Sequence, residues 1–278
     1  MLNKLEFNES NLQIIRRLVI LNETINVLLN HKSVRKYQDK KIESEILEKL
    51  LDAGIRAPSS GNLQNYSLLV IDEKEKLEFL AEETYSPFVK EAPLVIIACI
   101  DQYRFYRLCN IYDAPFHFDN ADAVFIGVWD AIVAMHNIVI AAESLGLGTC
   151  YIGLILSTKY KEILNIPDYV YAVGMVSIGY PHHETKLRSR HPKEAIVHRN
   201  TYQNFSDEKL MSLYDNWLKN WPRFYDKLSD EKKKHWNEEL GVYNNVQYIT
   251  KTVYTREIIE ELGKKAIENL RKAKFEMK

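Results

Sequence analysis

Apolar and polar positions divide the chain into blocks of helical and of extended period. Between residues 11 and 29, Leu12, Ile15, Val19, Ile25, Leu28 and Leu29 recur at helical spacing and predict one or two helices. Ile46, Leu47, Leu50, Leu51 and Ala53 share one face of a helix predicted over 43–56. Pro58 must end it, since proline lacks an N–H and disfavours helix in the residue before it. Ser67–Ile71 reads as a buried strand and 73–83 as a weaker helix. Pro93–Ile100 is an unbroken apolar run, the pattern of a strand buried on both faces. Residues 101–120 are aromatic and irregular. Residues 121–145 are rich in Ala, Val and Ile all round and predict the central buried helix, with Gly146 at its C-cap. Thr149–Ile152 and Tyr169–Gly179 read as further strands. From Thr201 onward, 206–226, 229–240 and 254–276 are charged, aromatic-dotted and helical in spacing, with no strand between the last two. This tail is short of apolar residues for its own core and is expected to wrap the main body or a partner subunit. Helices and strands interleave, so the class is α/β or α+β with a covered sheet.

Composition narrows the functional classes. The 278 residues are 46% hydrophobic, enough for one large domain or two small ones. Lys plus Arg is 37 against 38 for Asp plus Glu, leaving a net charge of −1. No general attraction to nucleic acid or anionic lipid follows, so any anion site must come from local clustering. Cys99, Cys109 and Cys150 are odd in number and lack C-x-x-C spacing, which disfavours disulfides and zinc knuckles and points to a reducing cytoplasm. Leu18–Leu21 is bounded by Arg16-Arg17 and Asn22-Glu23, too short for a signal segment or a membrane span.

The candidate chemistry starts at Ala57-Pro58-Ser59-Ser60-Gly61-Asn62-Leu63-Gln64, where a helix ends, a small polar loop opens and a strand begins. It reads as an ordinary connection or as a ligand loop held between rigid elements. Cations cluster in two distant places, Lys32 with Arg35 and Arg188 with Arg190. In an extended segment Arg188 and Arg190 point to one side, and brought near Lys32 and Ser33 they would make a phosphate site, as the planar guanidinium forms bidentate bonds. Gly146-Leu147-Gly148 fails the dinucleotide fingerprint, because Tyr151 stands where its third glycine belongs. His117, His182, His183 and His191 lie scattered in predicted loops, so no metal site is expected, and no G-x-S-x-G supports hydrolase chemistry.

Three stretches carry a family resemblance. His31-Lys32-Ser33-Val34-Arg35-Lys36-Tyr37 resembles H-R-S-[IV]-R-x-[FY]. Ala142-Glu143-Ser144-Leu145-Gly146-Leu147-Gly148-Thr149-Cys150-Tyr151-Ile152-Gly153 resembles A-A-E-S-x-G-L-G-x-x-Y-I-G. Leu187-Arg188-Ser189-Arg190-His191-Pro192, followed by Val197-His198-Arg199-Asn200-Thr201-Tyr202, resembles K-P-R-L-P and V-H-E-N-x-Y. They stand in order and at the right spacing, and the resemblance runs over about residues 22 to 270. The chain is thus identified as similar to the FMN-dependent nitroreductase superfamily, in the branch of NADPH-flavin oxidoreductases and oxygen-insensitive nitroreductases.

The resemblance implies an α+β nitroreductase-like fold, with a mixed, mainly antiparallel sheet wrapped by helices. It implies a homodimer with FMN at the subunit interface and exchanged C-terminal helices. Residues 1–21 would then be an extension, 22–200 the FMN-binding core, and 201–278 an arm embracing the partner. His31, Lys32, Ser33 and Arg35 would hold the FMN phosphate and the pyrimidine side, and Arg188 and Arg190 would complete the phosphate cradle. Pro58, Ser59, Ser60 and Gln64 would contact the ring, while Tyr151, Ile152 and Gly153 lie along the isoalloxazine. The implied activity is ping-pong: hydride passes from NADPH or NADH to flavin N5, then to a nitroaromatic, a quinone or free flavin, with no catalytic side chain. A flavin store or sensor with little turnover, or a reductase of another acceptor, stands as the alternative.

Departures from the pattern mark where this chain differs. Lys32 replaces an arginine, keeping the charge but losing the fork. Leu154-Ile155-Leu156-Ser157 replaces G-[LI]-R-N, removing a cation from the substrate side. Asn62 stands where relatives place Phe or Met, and Arg256 matches an arginine near the pocket, so both are assigned to substrate. Lys232-Lys233-Lys234 is the counterpart considered for a basic NADPH loop, which leaves the choice between the two nucleotides open.

Overall fold

The computed structural model describes residues 22–153, 159–219, 225 and 228–276. The extension 1–21, the first part of the 11–29 helix, the Leu154–Ser157 departure and the end of the 206–226 helix lie outside the described residues. The chain forms two units, Met1–Leu187 with Ala266–Lys278, and Arg188–Lys265.

The first unit is built on a four-stranded antiparallel sheet. Its strands are β1 (Tyr66–Ile71), β2 (Leu94–Asp101), β3 (Gly148–Ile152) and β4 (Val170–Gly179), in the order β1-β2-β4-β3. All eight residues of β2 are buried, as an apolar run in a central strand requires. Alternation assigns them to two layers. On one face, Ile96 and Ala98 pack with Leu50 of α2 (Ser44–Ile55) and with Ala131, Ala134, Met135 and Ile138 of α5 (Ala121–Ser144). On the other, Val95, Ile97 and Cys99 pack with Leu77 and Leu80 of α3 (Lys74–Glu83), and with Tyr160. The remaining helices of this unit are α1 (Glu23–Leu29), α4 (Tyr103–Ile111) and the short α6 (Lys159–Ile163). A parallel bridge joins Ser33 to Thr149 beside the edge strand β3, and a second joins Asn120 to Glu276.

Helix α5 ends where the sequence places Gly146. The Gly146 N–H donates to Glu143 O and the Leu147 N–H to Ala142 O, with Gly146 at φ +79°, the paired closure of a left-handed cap. Its expected all-round burial is corrected. Phe125 and Trp129 are 67% and 75% exposed, and Val133 is open on the same side. Uniform apolarity told the central position but not that one stripe faces outward in a single chain. By length and composition α5 could cross a membrane, yet half of its most apolar window is buried inside the protein.

The irregular 101–120 segment is corrected too, since it contains α4. Asp101 caps that helix, its Oδ1 accepting from the N–H groups of Tyr103 (3.0 Å) and Arg104 (3.3 Å). Its rings cluster with neighbours rather than forming an aliphatic stripe. Tyr106 lies against Phe116 and Tyr169, and Phe105 meets Phe118 edge-on at 5.0 Å.

The second unit carries α7 (Asp207–Lys219), α8 (Asp230–Lys234), α9 (Asn245–Tyr248) and most of α10 (Arg256–Lys272). Wide five-residue turns, His235–Glu239 and Ile249–Val253, extend α8 and α9. Its aliphatic interior is thin, with Leu213 and Val242 buried, and aromatic pairs such as Trp236 on Tyr248 (5.1 Å) supplement it.

Candidate functional site

The basic patch is fixed along the sheet edge. The Val34 N–H donates to Thr149 O at 2.7 Å, and the Tyr37 hydroxyl donates to Val34 O at 2.7 Å while bonding Ser177 Oγ at 2.7 Å. Burial pushes the Tyr37 phenol up, so it stays a neutral donor. This seating needs Gly148 bare, because a Cβ there would stand 2.6 Å from Val34 Cγ2 and 2.7 Å from its Cβ. We expect Gly148→Ala to cost about 1–3 kcal/mol. Adding Val34→Ala should return part of that loss, a non-additivity readable in urea melts of the four chains. Strict additivity would refute the contact.

Three side chains of the patch already have orienting partners. His31 Nδ1 lies 2.8 Å from Glu143 Oε1, and Thr149 Oγ1 donates to the same oxygen at 2.8 Å. One carboxylate oxygen of Glu143 thus orients the His31 ring through Nδ1 and leaves Nε2 on the side away from it. Lys32 Nζ lies 3.7 Å from the exposed Glu184, and the Arg35 guanidinium sits 5.8 Å from the centre of the Phe88 ring. A cleft of about 400 Å³ opens beside them, lined by Asn26, Asn30, Lys32, Glu143 and His183 among others.

The Pro58–Gln64 loop is held from behind. Gly61, Asn62 and Gln64 all have positive φ (56°, 57° and 52°), a tight coil that the small and amide residues tolerate. The Ser60 N–H donates to Asp130 of α5 at 3.1 Å, and the Gln64 N–H to Ser59 Oγ at 3.3 Å. Arg104 Nη2 donates to Gln64 O and Tyr66 O, both at 2.7 Å, with its Nε on Asp101 at 3.2 Å. Burial pushes the Asp130 carboxyl up, with the Ser60 N–H opposing. Asp130, Arg104 and Glu143 were not among the expected site residues. A carboxylate in the middle of the apolar run 121–145, away from Asp122 and Glu143 at its two ends, was the visible signal for Asp130.

The third expected stretch ends β3. The Tyr151 hydroxyl lies 3.0 Å from His136 Nδ1 of α5, with the rings stacked at 29°. Ile152 is buried, and a Cβ on Gly153 would meet none of the described residues within 4 Å.

Helix α5 is thus a ruler with three marks: Asp130 at the loop, His136 at Tyr151 and Glu143 at His31. His136 and Glu143 are seven residues apart and share a face. Asp130 and Glu143 are thirteen apart, about 20 Å along the axis and about 140° round it. One chain therefore brings the basic patch and the end of β3 together and keeps the Pro58–Gln64 loop away from the patch. Arg188, Arg190 and Arg256 belong to the second unit. Both cradle candidates are exposed, and Arg190 Nη1 donates to Arg188 O at 3.3 Å. Arg256 Nε pairs with Glu260 at 2.7 Å. Of the lysine run, Lys234 pairs with Glu238 at 3.8 Å and Lys233 lies 5.7 Å from the Tyr225 ring centre.

Comparison with known proteins identifies the family and the fold. Residues 28–180 match the model of the nitroreductase family. The chain is 30% identical over 249 residues to an FMN reductase [NAD(P)H] of Bacillus subtilis, covering 87% of this chain and 98% of that one. The NfrA1 nitroreductase of B. subtilis superposes with a TM-score of 0.72 at 27% identity, covering 87% and 98% of the two chains. An NADPH:FMN oxidoreductase of Vibrio harveyi in complex with NAD+ gives 0.68 at 26%, covering 88% and 98%.

Proposed function

The chain belongs to the nitroreductase family, and from that premise we propose an FMN-dependent NAD(P)H oxidoreductase that works as a homodimer. The observation that carries the reading is the α5 ruler. Asp130, which anchors the loop expected at the flavin ring, and Glu143, which holds the patch expected at its phosphate, lie about 20 Å apart along α5 and on different faces. The exposed Phe125–Trp129–Val133 stripe on the same helix invites a second copy. Asp130 and His136 each lie three residues from Val133. An antiparallel pairing about Val133 therefore sets the loop of one copy level with Tyr151 of the other, supplying what a single chain separates.

The residues present fit FMN. Its phosphate carries nearly two negative charges. Lys32, Arg35, Arg188 and Arg190 supply compensating charge, Ser33 a hydroxyl and His31 an oriented ring. Of the two carboxylates beside the patch, Glu143 is already engaged by His31 and Thr149 and Glu184 lies 3.7 Å from Lys32, which limits their repulsion of an anion. The backbone at Ile152 and Gly153 would meet the ring. When bound, FMN supplies two-electron redox chemistry, taking a hydride from NAD(P)H and handing it to an acceptor. Cations beside the ring favour its reduced, more negative form. No side-chain nucleophile is required, and one site serves both substrates in turn. The acceptors we assign are nitroaromatics, quinones and free flavin, and the three cysteines, all buried, suit a reducing cytoplasm.

Steady-state NAD(P)H oxidation with menadione or nitrofurazone tests this. Acceptor should stimulate oxidation at least about tenfold, with parallel double-reciprocal lines for the two substrates. A flavin-loaded protein whose oxidation no acceptor stimulates would be a store or sensor instead.

A further inference from the structure

The reduction of a quinone consumes a proton as well as a hydride, and the site as described so far has no source for it. Resting on the proposed reductase activity, we infer that Tyr151 delivers this proton to the acceptor and that His136 replenishes it. The pair is joined at 3.0 Å between the Tyr151 hydroxyl and His136 Nδ1, with ring centroids 6.3 Å apart. It stands directly before Ile152 and Gly153, where a Cβ on Gly153 would meet none of the described residues. In a single chain Tyr151 is 36% exposed, so its hydroxyl can meet a ligand, and His136 is exposed beside it. The pair is also the polar end of an outward stripe that otherwise runs Phe125, Trp129, Val133. Burial and the neighbouring Glu143 push the Tyr151 phenol up, which keeps its proton on at working pH.

The balance closes. Over one cycle NAD(P)H loses a hydride and is oxidised, while the quinone gains two electrons and two hydrogens and is reduced. One hydrogen arrives as that hydride. The other leaves the Tyr151 O–H bond for the acceptor oxygen, as His136 gives its Nδ1 proton to the phenolate and regains a proton from solvent. Tyr151 is the residue that touches the acceptor, and His136 is a positioning and relay residue acting through it. A positioned general acid contributes about 10²–10⁴-fold to such a step.

His136→Gln separates relay from mere support, since glutamine can hold the Tyr151 hydroxyl but cannot carry the proton. Turnover is measured with menadione, which must be protonated, and with ferricyanide, which takes electrons alone. The ratio of the two rates cancels partial flavin loading. It should fall at least about tenfold in His136→Gln and further in Tyr151→Phe. An independent readout needs no turnover. In the oxidised, flavin-loaded protein, 4-nitrobenzoate should move the ¹⁵N resonances of the His136 imidazole, and Tyr151→Phe should abolish that movement. An unchanged ratio in His136→Gln, or imidazole resonances that ignore 4-nitrobenzoate, would overturn the inference. A wild-type protein that NAD(P)H cannot drive with either acceptor refutes the reductase reading itself, and this inference with it.

Discussion

Replacing Arg188 and Arg190 together by alanine should weaken FMN binding by about two orders of magnitude or more. Each guanidinium offers a planar fork to a phosphate, and a charge-assisted hydrogen bond is worth roughly 1.5–3 kcal/mol. Losing at least two of them removes about 3–6 kcal/mol, and each 1.4 kcal/mol is a factor of ten. Both side chains are exposed, and the one bond between them, Arg190 Nη1 to Arg188 O, leaves most of their donors available. Stability should change little, because no buried partner is abandoned. Lys272→Ala, which loses a pairing with Glu268 at the surface, is the comparison for non-specific charge loss. Retention of FMN through gel filtration reads the effect directly, and retention equal to wild type would remove both arginines from the cradle.

The second large effect concerns the stripe on α5. Trp129→Glu should dissociate the dimer and release FMN in the same step. A tryptophan buries roughly 150–250 Å² at about 25 cal/mol per Å², some 4–6 kcal/mol. In a two-fold interface the loss counts once in each copy. The dimer dissociation constant should rise by at least about a thousandfold, since 4 kcal/mol is nearly three decades. Trp129→Phe, which keeps an aromatic ring, should remain largely dimeric. Sedimentation reads the assembly and absorbance at the dimer and monomer boundaries reads the flavin. A monomer that still holds FMN tightly would show that one chain completes the site, against the α5 ruler.

How much of this was legible in the sequence depends on which signal each element sends. Strand β2 was legible because seven consecutive buried positions, Leu94–Ile100, are all apolar. The end of α5 was legible because Gly146 alone supplies the left-handed turn that the closure needs. Helix α4 was not, since Tyr103, Phe105 and Tyr106 are held by ring contacts and an Asp101 cap rather than by an aliphatic stripe. Lys32, Arg35 and the Pro58–Gln64 loop could be picked out by residue type and motif. Their separation along α5 could not, because it follows from which turn of the helix meets which loop. Asp130, Arg104 and Glu143 were missed for the same reason. Each acts by holding backbone or another side chain, and that leaves no pattern of spacing.

The most direct test is the visible absorption spectrum of the purified protein, taken anaerobically before and after NADPH or NADH. We predict the bands of an oxidised flavin, at close to one per chain, bleached by at least one of the two nucleotides. A protein that holds no flavin even after incubation with FMN would contradict the account.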